Sequence, residues 1–130
     1  MWKVRFLRLV QRLSLWLFWP GVALIAWGEL TPHPPQLGGV FGWDKLEHFT
    51  AYFGLASMAT MVLGLRPSLI GAMLGIILFG GALEILQGYT GRDPDVMDFI
   101  ANSIGAFGGL AAGALFFWLF DPLVAAPHAD

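Results

Sequence analysis

Residues 67–87, PSLIGAMLGIILFGGALEILQ, decide the fold. Positions 68–83 carry no charge, and the first ionisable group is Glu84. A membrane-spanning helix needs about 20 predominantly apolar residues. The run is too long for a strand and has no period-2 alternation. It reads as a spanning helix. Three further stretches read the same way. The first covers 13–27, with SLWLFWPGVALIAW at its heart, and extends to Leu30. The second covers 45–65, its charges confined to the start. The third covers 98–120, interrupted only by Asn102 and Ser103. Composition agrees: 57% of the 130 residues are hydrophobic and 12% are charged. Soluble domains carry about 25% charged residues. A chain so short and so apolar cannot cover its own core with a polar surface, which excludes an ordinary soluble domain and a disordered chain. The net charge of −2 gives no basic footprint for nucleic acid. The absence of cysteine excludes a disulfide scaffold, a cysteine metal site and a thiol nucleophile. The six Trp and 11 Phe suit the aromatic belts of a bilayer protein.

The expected fold is all-α: a four-helix transmembrane bundle in a single membrane domain, with an N-terminal interfacial helix. Residues 2–12 mix Lys3, Arg5, Arg8 and Arg12 with Trp2, Val4, Phe6, Leu7, Leu9 and Val10. That pattern suits a short helix on the membrane surface. The same basic start, with Ala26-Trp27-Gly28 downstream, is also how a signal peptide reads; the segment is expected to be retained as a span. Pro20 is expected to kink it. Residues 29–43, rich in Pro and Gly, form a loop whose Phe41 and Trp43 fold back onto the membrane. The turn at 64–67 is short, so the second and third helices are antiparallel neighbours. Residues 88–97 form a polar loop, and 121–130 a disordered tail.

Basic residues set the orientation. Lys3, Arg5, Arg8, Arg12 and Arg66 lie on one side, Lys45 and Arg92 on the other. The expectation is a bacterial inner membrane protein with both termini cytoplasmic.

The polar residues of the last three helices gather at the outer end. Lys45, His48 and Tyr52 share one helix face, as do Glu84 and Gln87. Asp95, Asp98 and Asn102 open the last helix; Arg92 precedes them, and Asp44 is a candidate cap for the second. Polar groups in hydrocarbon turn toward one another or toward a water-filled cavity, so these faces should converge in a cleft. Lys45, His48, Glu84, Arg92 and Asp98 should form one network. Small residues continue the stripes inward and allow close helix contact: Ala56, Ala59, Gly80, Gly81, Gly71-x-x-x-Gly75, and Gly105, Gly109 and Gly113. Glu29 and Asp121 read as solvated helix-end charges, His33 and His128 carry no assigned role, and Phe117 is expected to face lipid.

Two chemistries fit the cluster. Glu84, Asp95, Asp98 and His48 are oxygen and nitrogen ligands of the kind divalent cations accept. Equally, Lys45, His48 and Arg92 could hold a phosphate or carboxylate, with Glu84 or Asp98 as acid or base. Metal, cofactor and reaction stay open; HExxH, GxSxG, P-loop and CxxC motifs are all absent.

At these residues the chain resembles the VanZ-like family of small bacterial integral membrane proteins. The matching blocks are Asp44-Lys45-Leu46-Glu47-His48-Phe49 with Tyr52, then Glu84-Ile85-Leu86-Gln87, then Arg92 ahead of Asp95, Asp98, Asn102 and Gly105. They cover about residues 30–120. The resemblance implies an inner-membrane protein of the cell envelope. The family takes its name from a protein linked to resistance to the glycopeptide antibiotic teicoplanin. Two functions are weighed. In the first, the cleft binds or processes the polar headgroup of an envelope lipid or precursor. In the second, the chain is a noncatalytic accessory subunit of a larger membrane complex. The lipid bilayer is a partner in both.

Overall fold

A computed structural model describes residues 1–33 and 43–121, Trp43 in its backbone only. The expected fold-back of Phe41 and Trp43 and the expected tail from residue 122 lie outside what is described. Four helices follow one another: α1 (Trp2–Leu30), α2 (Trp43–Leu63), α3 (Ser68–Gln87) and α4 (Val96–Phe120). No strand occurs among the described residues. The fold is the all-helical bundle expected, and α1, α3 and α4 are long and apolar enough to cross a membrane. In α2, Asp44, Lys45, Glu47 and His48 crowd the first turns, and apolar residues dominate from Phe49 onward.

The separate N-terminal interfacial helix is replaced by something simpler. Residues 2–12 are the first turns of the single 29-residue α1, and Pro20 lies inside that helix without ending it. At 1.5 Å per residue α1 runs about 43 Å, beyond the roughly 30 Å hydrocarbon core. Its extra turns pack on the far end of α4. The Trp2 ring meets Phe120 edge-on, and Phe6 contacts both Phe116 and Phe120. Apolar contact holds these turns to the helix, so no break is needed to lay them on a surface.

The most extensive packing is α2 on α4, and glycine makes it possible. A Cβ at Gly105 would strike the Phe49 carbonyl oxygen, and one at Gly109 the Phe53 carbonyl oxygen. One at Gly113 would lie 2.6 Å from Thr60 Cγ2. Ser57 Oγ donates across the seam to the Gly109 carbonyl at 3.2 Å. Gly80 gives room to Tyr52 and Asn102, and Gly81 to Phe99. Gly71 and Gly75, expected to pack, do not: both are exposed, and a Cβ at either would meet no atom within 4 Å. Their spacing matched a packing motif, but their face of α3 points away from the bundle.

The core is Tyr52, Leu55, Ala56 and Ala59 of α2 against Leu69, Met73 and Ile76 of α3 and Ala106 of α4. A second cluster, Leu7, Met61 and Phe117, closes the end opposite the polar residues. Phe117 is therefore buried rather than lipid-facing: the first turns of α1 cover it. Gly64, at φ +67, ends α2 and starts the short turn into α3, and its N–H bonds to the Thr60 carbonyl. An L side chain would be strained there. Alternating helix directions then place the ends of α1 and α3 beside the starts of α2 and α4.

Candidate functional site: a buried polar cluster

At that shared end the structure brings together all ten predicted site residues. Lys45, in the first turn of α2, reaches across to α4. Its Nζ donates to Asp95 Oδ2 at 2.7 Å and Asp98 Oδ1 at 2.6 Å. Asp95 also caps α4, its carboxylate accepting from the Met97 N–H at 2.8 Å. The Lys45 ammonium first, and the Met97 N–H second, hold the Asp95 carboxyl below its ordinary pKa. Asp98 is buried and Asp95 half-exposed, so the lysine spans from the rim of the cluster to its interior.

His48 sits one turn deeper on α2 and is buried. Its Nδ1 lies 3.0 Å from Asn102 Oδ1 and 3.5 Å from Glu29 Oε1. Its Nε2 faces Asp98 Oδ2 at 3.7 Å and Asp44 Oδ1 at 3.9 Å. Below it Tyr52 is fully buried, its hydroxyl without a hydrogen-bond partner. From α3, Glu84 is buried, and its Oε2 accepts the Asp95 N–H at 3.2 Å. Its Oε1 has no partner. Gln87, one turn on, donates to the Glu29 carbonyl at 3.0 Å. Arg92 Nη1 donates to the carbonyls of Gly28 (3.3 Å) and Glu29 (3.1 Å), and its Nη2 stands 4.0 Å from Asp44.

Glu29 is the residue the sequence reading missed. Expected as a solvated charge, it is 7% exposed, and its Oε2 has no hydrogen-bond partner. Gln87 and Arg92 grip its main chain, and His48 faces its carboxylate. Nothing around it in α1 marks it, because its one-turn neighbours Ile25 and Ala26 are apolar. The available signal was topological. The end of α1 must lie beside the starts of α2 and α4, so a carboxylate in its last turn joins their cluster.

The carboxylates of Glu29, Asp44, Glu84, Asp95 and Asp98 thus gather at one end with Lys45, Arg92 and His48, Lys45 pairing with Asp95 and Asp98 and Arg92 standing nearest Asp44. A groove of about 550 Å³ opens beside the cluster between α3 and α4. Gly81, Ile85, Pro94, Val96 and Phe99 give it apolar walls, and Glu84 and Asp95 line it too. Such an arrangement can hold a cation, exchange protons, or receive a molecule with a polar head and an apolar tail. In comparison with known proteins, no family model, no curated protein and no solved structure matches the chain.

Proposed function

We propose that the chain is a VanZ-like protein of the bacterial plasma membrane, with both termini cytoplasmic, whose polar cluster binds the headgroup of an envelope lipid or lipid-linked precursor on the outer side. One observation carries this reading: the apolar groove between α3 and α4 is continuous with Glu84 and Asp95. A lipid presents that same sequence of chemistry, with an acyl chain for the walls and a polar head for the charged end. The motif blocks around Lys45, His48, Glu84 and Arg92 support the family assignment. The excess of basic residues beside the opposite ends of the helices supports the orientation.

Native mass spectrometry of protein extracted with its own lipids tests the reading. A lipid adduct should be retained by the wild type and by Ile104→Trp, which alters an exposed position elsewhere on α4. It should be lost or weakened at least tenfold in Ile85→Trp, which narrows the groove. Equal retention in the two variants would refute binding in the groove.

A further inference from the structure

We infer that a divalent first-row metal ion binds between Glu29, His48 and Glu84, with the Asn102 carbonyl as a further oxygen donor. One ligand atom from each of Glu29, His48 and Glu84 lies within 4.8 Å of the others, and all three residues are buried. Two buried carboxylates from different helices, α1 and α3, thus share one small space. Each has an oxygen with no hydrogen-bond partner: Oε2 of Glu29 and Oε1 of Glu84. Buried charges are normally paired or bound to metal, because an isolated ionised carboxylate is costly away from water. The neighbouring cations are engaged elsewhere. Lys45 is held by Asp95 and Asp98. Arg92 donates to main-chain carbonyls.

The two spacings at His48 Nδ1 suit coordination, and Glu84 stands within 4.8 Å, near enough to close on a bound ion. With bonds of about 2.1 Å, neighbouring ligands stand about 3.0 Å apart in an octahedron and about 3.4 Å in a tetrahedron. His48 Nδ1 lies 3.0 Å from Asn102 Oδ1 and 3.5 Å from Glu29 Oε1. The other ring nitrogen, Nε2, faces the Asp98 carboxylate. A ligating histidine commonly directs its second nitrogen at a carboxylate, which fixes the tautomer. One imidazole nitrogen among carboxylate and amide oxygens selects Mn²⁺, Fe²⁺ or Zn²⁺ over Mg²⁺, which prefers oxygen and retains water. The ion would lock the end of α1 to α2, α3 and α4. This inference does not depend on a lipid occupying the groove, and its test contains no lipid variable.

The test uses the full chain in detergent, stripped by chelator and titrated with MnCl₂ or ZnCl₂. The expected result is one equivalent bound per chain. The Mn²⁺ spin-echo spectrum should show coupling to one imidazole ¹⁴N. A hundredfold excess over Kd should raise the thermal midpoint by about 5 °C or more. Glu29→Gln and Glu84→Gln should each weaken binding at least tenfold. His48→Gln should abolish the ¹⁴N coupling. No stoichiometric binding by stripped wild type, Mn²⁺ without ¹⁴N coupling, or wild-type affinity in both glutamine variants would overturn the inference. If the variants fail to fold, the ¹⁴N coupling of the wild type decides.

Discussion

The Glu29 carboxylate lies 3.5 Å from Nδ1 of His48, joining the last turn of α1 to the second turn of α2. Along its middle, α1 packs Phe18, Val22 and Ile25 against the core and leaves Trp16, Trp19 and Leu24 exposed. Its ends add further fastening, by polar contacts around Glu29 and by aromatic contacts around Phe6.

The polar fastening depends on Arg92. Its Nη1 bridges two carbonyls, of Gly28 and Glu29, that the end of α1 leaves unpaired. A lysine offers a point charge rather than a planar fork. Arg92→Lys should destabilise the protein by about 1–2 kcal/mol. Amide exchange should quicken at Leu30 and Thr31, in the last turn of α1, and stay unchanged in α4. Unchanged exchange at the end of α1 would remove Arg92 from this role.

Lys45 is the shared partner of two carboxylates, one of them buried. Lys45→Met leaves Asp98 without its ammonium and should cost about 1–3 kcal/mol. Adding Asp98→Asn should recover much of that loss, because the stranded charge is then gone. Strictly additive losses in thermal unfolding would mean that the two residues are not coupled.

The orientation predicts where reporters become accessible. A tag inserted after Arg66 and one at the C-terminus should both be protected from impermeant labels in intact cells. A tag between Pro32 and Gly39 should be labelled. Labelling of the C-terminal tag would reverse the proposal.

The helices were legible in the sequence because long apolar runs have few other solutions. The cluster residues from Asp44 to Asn102 were legible because polar side chains recurred at helical spacing near one end. Glu29 and Phe117 were not, for a common reason. Each is covered by an element far away in sequence, and periodicity within one helix says nothing about what that helix meets. Gly71 and Gly75 failed in the opposite sense: their spacing fits a packing motif, but no helix arrives at that face.

Phe117 tests the apolar end. It is buried with Leu7 and Met61, whereas Phe107 is 58% exposed on the same helix. Phe117→Ala should cost about 3–5 kcal/mol, the usual loss for a buried aromatic side chain. Phe107→Ala should cost under about 1 kcal/mol, since lipid or detergent fills the space. Similar thermal midpoints for the two variants would contradict the burial of Phe117 beneath α1.

Gly109 and Gly75 make the sharpest pair, because the sequence treats them alike and the structure does not. At Gly109 a Cβ would meet backbone: the Phe53 carbonyl oxygen, and the Ser57 nitrogen at 2.9 Å. Main chain cannot rotate away as a side chain can, so α2 and α4 would have to separate. That would strain the Ser57 bond to the Gly109 carbonyl and disturb the seam that sets His48 beside Asn102. Gly109→Ala should therefore cost at least about 1–3 kcal/mol, as overpacked cores do. At Gly75 a Cβ would meet nothing within 4 Å, and alanine restores up to about 1 kcal/mol of helix propensity. Gly75→Ala should leave the thermal midpoint unchanged or raised. If Gly75→Ala were the more damaging of the two, the assignment of the close seam to α2 and α4 would be wrong.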